Sequence, residues 1–288
     1  MQENLENLVK PKVFVGICTG PSKEYAMHYM VAALRNLDCG NMEIHWAVTD
    51  FGNNESTVYL QRLKQLMGTV KWSCPVHIHT TPYDLTRAPT HLRNYGQNKV
   101  GEEQYGSYDF VLRNLRLLRG IFLDGDCNYF LEVGGDNPPP RDTVNRLMKL
   151  DADAAFGTCY QRPKRDEDKT TYPLVWTYTW SLKDLDQYNL EPVVKEQLAL
   201  AFTNTPFVVP IYTHNNWREI DYISPYAGGT GIVLIRRAVL ERVGWRLPTS
   251  LYFSEDLYFC HQCNAHGYKT VGDLKFHCPH FDESGMMF

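Results

Sequence analysis

Apolar runs of strand length alternate with amphipathic stretches of helix length through the first half of the chain. Four apolar runs end in turn or polar residues and predict buried strands, namely KVFVGICTG, MEIHWAVTD, PVHIHTT and NYFLEV. Stretches with helical spacing lie between and after them, namely KEYAMHYMVAALRNL, STVYLQRLKQLMG, SYDFVLRNLRLLRGIFLD and TVNRLMKLDAD. This alternation predicts an α/β fold with a Rossmann-like, mostly parallel sheet and helices on both faces.

The second half of the chain has a less regular pattern. DAAFGTCY predicts a strand, and GGTGIVLIRRAVLERVGW predicts a glycine turn, a strand and a helix. Near the end, LYFCHQCNAHG predicts a helix and KTVGDLKF a strand, whereas QRPKRDEDKTTYPLVWTYTWS is expected to loop over a site. Without an internal repeat or a low-complexity linker, we predict a single domain over residues 1–288. Its nucleotide-binding half would cover about 10–157 and its acceptor and catalytic half about 158–288.

Polar residues stand where three of the predicted strands end. Thr19 closes the first strand, Asp50 closes the second, and Asp136 follows the fourth. Ligands of open α/β sheets bind beyond the carboxyl ends of the strands. We therefore expect a binding site at this edge of the sheet.

Composition and charge exclude some classes of function. The chain of 288 residues is 43% hydrophobic, which is ample for a core, and its net charge of −4 argues against general nucleic-acid binding. The opening MQENLENLVKPK lacks the apolar core of a signal peptide, and no apolar run is long enough to span a bilayer. We expect a soluble cytoplasmic protein or, for a viral protein, one of the host-cell cytoplasm.

The cysteines leave one metal hypothesis open. Eight cysteines are too sparse in this chain for a disulfide scaffold. Cys260 and Cys263 form a CxxC pair, and His277, Cys278 and His280 follow at a spacing that zinc tolerates. Because CxxC alone is a loose signal, we favour packing of both cysteines on a helix and leave zinc open.

An acidic pair near the end of the chain, Glu255 and Asp256, opens a predicted helix, and His280 follows the last predicted strand. The pair can simply complement the helix dipole, with Ser254 as the N-cap, but capping does not account for His280. Together with Asp136, these groups suit sugar transfer from a nucleotide-sugar. A base would take the proton of the acceptor hydroxyl, and a metal ion or basic groups would stabilise the leaving diphosphate.

Several motifs, in this order and spacing, resemble the GT-A fold glycosyltransferases, closest to the family 2 type and its compact viral, phage and archaeal members. They are VFVGICTG, the helix with Arg113 and Asn114, YFLEVGGDNPPP, GGTGIVLIRR, SEDLYFCHQCNAHGYK and the final CPH. The resemblance covers nearly the whole chain. It implies a GT-A fold and a hexosyl- or pentosyltransferase that moves a sugar, by family preference from a UDP-sugar, to an acceptor hydroxyl with inversion.

The resemblance also implies roles for single residues. Asp256 would be the general base, and Glu255 would orient the acceptor. Donor-binding residues would come from strand ends, glycine turns and one helix: Cys18, Thr19, Gly20, Asp50, Arg113, Asn114, Gly135, Asp136 and Gly229. For Arg113 a solvated helix face, and for Gly229 a plain turn before a strand, remain alternatives. Aromatic residues that could stack on a glycan acceptor, or else pack in the core, are Trp176, Tyr178 and Trp217.

The metal motif departs from the family pattern of Asp-x-Asp. Its first acid falls on Gly134, and only Asp136 remains. The resemblance implies that Asp136 and His280 share Mn²⁺ or Mg²⁺ with the diphosphate, the imidazole favouring manganese, and the missing acid leaves metal dependence open. A literal Asp-x-Asp at Asp124 and Asp126 precedes the strand NYFLEV, so we interpret it as a turn at the opposite end of the sheet.

Two alternatives come from other classes of protein. A nucleotidyltransferase would share the sheet and the carboxylate but should carry a basic, glycine-rich loop after the first strand, where CTGPSKE has only Lys23. A non-catalytic module that binds a nucleotide-sugar or a glycan would keep the fold after losing the first acid. The donor sugar, its nucleotide, the acceptor, the stereochemical outcome and the oligomeric state are open at the level of sequence.

Overall fold

A computed structural model describes ten ranges of the chain: residues 11–84, 97–100, 103–161, 172–173, 175–179, 207–210, 221–223, 227–228, 231–246 and 255–281. The strands in these ranges are β1 Val13–Thr19, β2 Met42–Asp50, β3 Val76–Pro82, β4 Gln97–Val100, β5 Glu103–Gly106, β6 Tyr129–Gly134, β7 Ala154–Gln161, β8 Tyr172–Pro173, β9 Val175–Thr179, β10 Phe207–Pro210, β11 Tyr222–Ile223, β12 Ala227–Gly228, β13 Ile232–Arg236 and β14 Thr270–Cys278. The α-helices are α1 Met27–Arg35, α2 Asn54–Gly68, α3 Ser107–Asp124, α4 Thr143–Met148, α5 Arg237–Arg242 and α6 Glu255–Ala265.

The main sheet of the described residues has the strand order β11-β14-β7-β13-β6-β1-β2-β3, with β8 paired to β7. The pairs β1–β2, β1–β6, β2–β3 and β7–β14 are parallel. Strand β13 runs antiparallel between β6 and β7, and β11 runs antiparallel to β14. The predicted α/β fold with a mostly parallel sheet is confirmed.

Apolar residues alternate between the two faces of the sheet because successive side chains of a strand point to opposite sides. In β1, Val13, Val15 and Ile17 join one buried cluster, and Phe14 joins the other. The first cluster packs against α1, α2 and α4, and the second packs against α3, α5 and α6. Helices therefore cover both faces, as predicted.

Two predicted helices differ from the observed ones. The stretch predicted as a helix after β1 starts as a 3-10 helix over Pro21–Ala26, and the α-helix begins only at Met27. Helix α4 ends at Met148, earlier than predicted, and Asp151 adopts a left-handed φ of 47°. A left-handed residue cannot continue a right-handed helix, so the chain turns there toward β7.

Among the described residues, none of the helices combines the length and the apolar character that a membrane span requires.

Candidate active site

Asp136 is the centre of a polar cluster at the carboxyl edge of the parallel strands. It lies just after β6 and is 6% exposed. Its Oδ2 accepts hydrogen bonds from Lys23 Nζ and, at 3.0 Å, from the Tyr25 hydroxyl, and it lies 3.3 Å from His280 Nε2. Burial opposes ionisation of this carboxyl, but the hydrogen bond from His280 and the charge of Lys23 outweigh it, so its pKa lies well below the usual range. Asp136 is therefore an anion.

Three segments that are distant in sequence build this cluster. The 3-10 helix after β1 contributes Lys23 and Tyr25. The segment after β14 contributes His280, and two bonds hold that segment against the turn after β6. The Phe281 amide donates to the Asp136 carbonyl at 3.0 Å, and Asn137 Nδ2 donates to the Pro279 carbonyl at 3.4 Å. The structure thus brings Asp136 and His280 together, as a shared site requires, whereas sequence reasoning missed Tyr25.

The position of the missing acid has no space for a side chain. A Cβ on Gly134 would lie 2.5 Å from Oδ1 of Asn137, whose side chain fills this space. Asn137 is itself buried, and its Nδ2 donates to the Cys159 sulfur and the Pro279 carbonyl. A carboxylate at position 134 would therefore displace an amide that holds neighbouring segments together.

These side chains do not supply the ligands that Asp-x-Asp would offer a divalent ion. Asp136 and His280 provide two ligand groups, and Lys23 already pairs with the carboxylate. In the part of the chain that the structure describes, no group of three or more His, Cys, Asp or Glu side chains is placed to hold a metal ion. A compact Mn²⁺ or Mg²⁺ site therefore does not fit the arrangement of Asp136, His280 and Lys23.

Gly135 is required where the turn after β6 meets the end of β1. A Cβ there would lie 2.7 Å from the Cys18 carbonyl oxygen and 3.0 Å from Thr19 Oγ1. The Thr19 hydroxyl shares a 2.6 Å hydrogen bond with the Tyr59 hydroxyl, so it is engaged with the core. Thr19 and Gly135 thus position the backbone at this edge, and Gly20 continues it in extended conformation into the 3-10 helix.

Asn114 holds two strand ends together. It is fully buried on α3, and its Nδ2 donates to the Ala47 carbonyl at 3.1 Å and to Thr49 Oγ1 at 3.0 Å. The same amide lies 3.5 Å from the Thr19 carbonyl. These contacts join the ends of β1 and β2, so the structure gives Asn114 a positioning role.

Two other predicted donor residues make local contacts near this edge. The Arg113 guanidinium carbon lies 4.8 Å from the centroid of the Tyr83 ring. One carboxylate oxygen of Asp50 accepts from the Gly52 amide at 2.9 Å. Arg113 is partly buried against this ring, and its role in donor binding remains a prediction.

A second group of carboxyls lies beside Cys18, and sequence reasoning missed one of its members, Glu132. Glu132 and Glu255 are both buried. Burial raises the pKa of the Cys18 thiol, and the charges of Glu132 and Glu255 raise it further. Glu255, at the start of α6, therefore lies close to the end of β1. The alternation of β6 could have pointed to Glu132, because this acid interrupts an apolar strand.

The two acids that begin α6 occupy different environments. Burial, followed by the charge of Asp256, raises the pKa of Glu255 well above its ordinary value. Its Oε2 has no hydrogen-bond partner among the described residues. Asp256 is only partly buried. Environments that differ in this way can divide two neighbouring carboxyls between two roles.

Glu255→Gln is expected to stabilise the fold increasingly as pH rises. In the wild type, the folded state keeps the Glu255 proton at a pH where the unfolded chain has lost it, so stability falls as pH rises above the unfolded pKa. Glutamine imitates the neutral acid and does not titrate. The variant should gain about 1.4 kcal/mol for each pH unit between the two pKa values. Urea unfolding of both proteins at pH 5 and pH 8 measures the difference, and equal gaps at both would contradict the raised pKa.

Two further sequence interpretations concern residues that lie away from this edge. Lys12 precedes β1, and its Nζ pairs with Asp126 at 2.5 Å, so the literal Asp-x-Asp lies at the amino end of β1 as predicted. Cys260 and Cys263 have no exposed surface and pack in an apolar cluster, which confirms the packing interpretation.

Some predicted residues cannot be placed in the site. Gly229 and Trp217 lie outside the described residues. Trp176 and Tyr178 lie on β9, of which the structure describes the backbone. Their roles therefore remain predictions.

Comparison with known proteins gives structural similarity alone. No protein-family model matches the sequence, and a comparison with curated proteins finds no match. The mannosyltransferase PcManGT from Pyrobaculum calidifontis, solved in complex with GDP-Man and Mn²⁺, is similar at 11% identity and a TM-score of 0.49, over 96% of this chain and 59% of that one.

S. aureus TarS 1-349 is similar at 10% identity and a TM-score of 0.46, over 93% of this chain and 59% of that one. Its complex with UDP-GlcNAc matches with a TM-score of 0.41. The chain thus spans about three fifths of the length of these two solved proteins. The solved structures to which it is similar include a glycosyltransferase, the class of enzyme that its motifs resemble.

Proposed function

We propose that the chain is a glycosyltransferase that moves a sugar from a nucleoside-diphosphate sugar, with UDP-sugars tested first, to a hydroxyl of a glycan or another acceptor. The observation that carries this proposal is the cluster of Lys23, Tyr25 and His280 around Asp136 at the carboxyl edge of the sheet. Ligands of open α/β sheets bind at this edge, and the lysine offers positive charge to an anionic diphosphate there.

The reaction needs charge stabilisation on the side of the leaving group. The acceptor oxygen attacks the anomeric carbon while the bond from that carbon to the diphosphate oxygen breaks, and negative charge builds on the diphosphate. Lys23 and His280 would donate hydrogen bonds to those oxygens. Mn²⁺ or Mg²⁺ brought in with a donor would reach Asp136 only after Lys23 leaves the carboxylate.

The acid pair of α6 would serve the acceptor. Asp256 takes the proton of the acceptor hydroxyl as the new glycosidic bond forms on the face opposite the diphosphate, which inverts the anomeric centre. Glu255, as a neutral acid, would donate a hydrogen bond that orients the acceptor. Support comes from the electrostatic interaction between Glu255 and Cys18, because Cys18 lies at the end of β1 on the same edge of the sheet. In this proposal, residues about 10–157 bind the nucleotide and about 158–288 serve the acceptor, apart from His280, which lies at the donor site.

Donor binding is tested by comparing the wild type with Asp136→Asn and with a control variant, Asp126→Asn. Calorimetry with UDP-, GDP-, CMP- and dTDP-sugars should find at least one that binds the wild type. Asp136→Asn should weaken that binding about tenfold, or about 1.4 kcal/mol, because Lys23 and His280 lose the anion that positions them. Asp126→Asn, whose carboxylate is remote from this edge, should change affinity less than about twofold.

The proposal is contradicted if none of these nucleotide-sugars binds, or if Asp126→Asn weakens binding as much as Asp136→Asn. Release of free sugar from the bound donor, followed by mass spectrometry, separates an enzyme from a binding module. Formation of a nucleotide-sugar from a sugar phosphate and a nucleoside triphosphate would instead indicate the nucleotidyltransferase.

A further inference from the structure

Lys23 occupies the position that a cation bound by Asp136 would take. Its Nζ donates to Asp136 Oδ2, and it also donates to the Tyr25 hydroxyl at 3.3 Å. The Tyr25 hydroxyl donates in turn to the same carboxylate oxygen at 3.0 Å. The three groups form a closed set of hydrogen bonds, so the ammonium is fixed by two partners.

Packing excludes the second acid that would make this carboxylate a metal site. Besides the close approach at Gly134, a Cβ on Gly231 would lie 2.9 Å from Asn137 Oδ1 and 2.5 Å from the Cys159 sulfur. Two glycines therefore make room for the Asn137 amide, which is buried. The neutral Asn137 amide thus fills the space beside Asp136 where a second acid would stand. The charge of Asp136 is balanced by Lys23 instead.

The lysine also has a donor available for a ligand. An ammonium group has three N–H donors, of which Asp136 and Tyr25 take two. The side chain is 36% exposed, whereas that of Asp136 is 8% exposed. Lys23 thus lies on the solvent side of the pair, where a phosphate oxygen can reach it, and lysine binds phosphate as a point charge.

Resting on the proposed function, we propose that Lys23 is the resident cation of the donor site. The chain then binds a nucleoside diphosphate without a divalent ion. Asp136 and Tyr25 hold the ammonium in place, the remaining N–H donates to the diphosphate, and His280 lies beside the same carboxylate.

The test is calorimetric titration of the full chain with UDP and with GDP, in EDTA and in MnCl₂. Wild-type affinity for the nucleotide that binds should differ less than about threefold between the two conditions, because the ammonium already supplies the charge. Lys23→Met keeps most of the side-chain stem and removes the charge. In EDTA it should weaken binding about tenfold to a hundredfold, the usual effect of losing a charge-assisted hydrogen bond.

A second readout separates this role from a merely structural one. Once Lys23 is gone, the Asp136 carboxylate is open to Mn²⁺, so the ion should recover part of the affinity of Lys23→Met while leaving the wild type nearly unchanged. Lys64→Ala, an exposed lysine on α2, is the matched control and should bind as the wild type does in both buffers. Lys23→Arg provides a second variant that keeps the charge, and thermal unfolding verifies that each variant folds.

The outcomes distinguish the two proposals. Wild-type binding that requires Mn²⁺ and is lost in EDTA would overturn the role of Lys23 and leave the glycosyltransferase proposal standing. Equal affinities of Lys23→Met and wild type in EDTA would also overturn the role of Lys23 and leave the glycosyltransferase proposal standing. Binding of neither nucleotide in either buffer would overturn the resident-cation proposal, and failure of the whole nucleotide-sugar panel would overturn the proposed function as well.

Discussion

Asp256→Asn is expected to lower the turnover number of sugar transfer by a factor of about 10² to 10⁴, the usual contribution of a general base. Asparagine keeps the shape of the side chain but cannot accept the proton of the acceptor hydroxyl. Donor affinity should change less than about twofold, because Asp256 would meet the acceptor and not the nucleotide. Steady-state kinetics with both substrates varied, combined with donor calorimetry, measures both effects.

Two controls accompany this measurement: substitution of another aspartate, and the anomeric configuration of the product. Asp124→Asn, at the end of α3, should turn over at nearly the wild-type rate. Glu255→Gln should alter the KM for the acceptor more than that for the donor. NMR of the first product formed should show an inverted anomeric centre. Retention of configuration, or near-normal turnover of Asp256→Asn, would remove Asp256 from the role of base and leave the pair as a binding or capping element.

Arg146→Ala is expected to lower the free energy of unfolding by about 2 kcal/mol. Arg146 on α4 donates through Nε at 2.7 Å and Nη2 at 3.2 Å to the Asp273 carboxylate, which is 1% exposed on β14. Loss of one partner from a buried pair costs about 3–5 kcal/mol, because the other charge stays buried. The Arg146 side chain is 34% exposed, so water reaching the site reduces this cost.

Arg236→Ala is the matched control, since its side chain is 36% exposed but its closer partner, Asp151, is 82% exposed. It should cost less than about 1 kcal/mol, because exposed ion pairs contribute little. Urea denaturation of the three proteins gives both values. Equal losses for the two arginines would show that burial of Asp273 does not set the cost. Because β14 leads to His280, Arg146→Ala should also weaken donor binding.

Much of the fold could be predicted from local pattern. Helix α2 was predicted almost to its ends, and it begins where Asn53 accepts a hydrogen bond from the Ser56 amide, a local capping signal. The 3-10 helix before α1 was missed because its residues have helical spacing, while the interior of the segment adopts a non-helical conformation at Lys23. That conformation accompanies an ion pair with Asp136, which is 113 positions away in sequence.

For the candidate site, too, some features could be predicted from sequence and others could not. Asp136 and Glu255 could be found from sequence because an acid after a buried strand, or at the start of a helix, stands out against its neighbours. The ionisation state of these two carboxyls could not be predicted from sequence, because it depends on how deeply each carboxyl is buried and on which charges face it. Asn137 likewise carries no signal of its own, although its amide fills the space beside Gly134.

Sequence alone was enough for the α/β class and for the long strands and helices of the main sheet, and it predicted the edge where a ligand would bind. It did not give the short strands β8 and β9, which lie in a segment that was expected to be a loop. The predicted properties follow from the periodicity of apolar residues and from chain connectivity, which are local or topological. The pairing of Lys23 with Asp136, the bracing of two strand ends by Asn114 and the burial of Glu255 emerged only from the folded chain. Each of them depends on contacts between distant segments and on the desolvation that packing imposes. The spacing of residues along the chain specifies neither the contacts nor the desolvation.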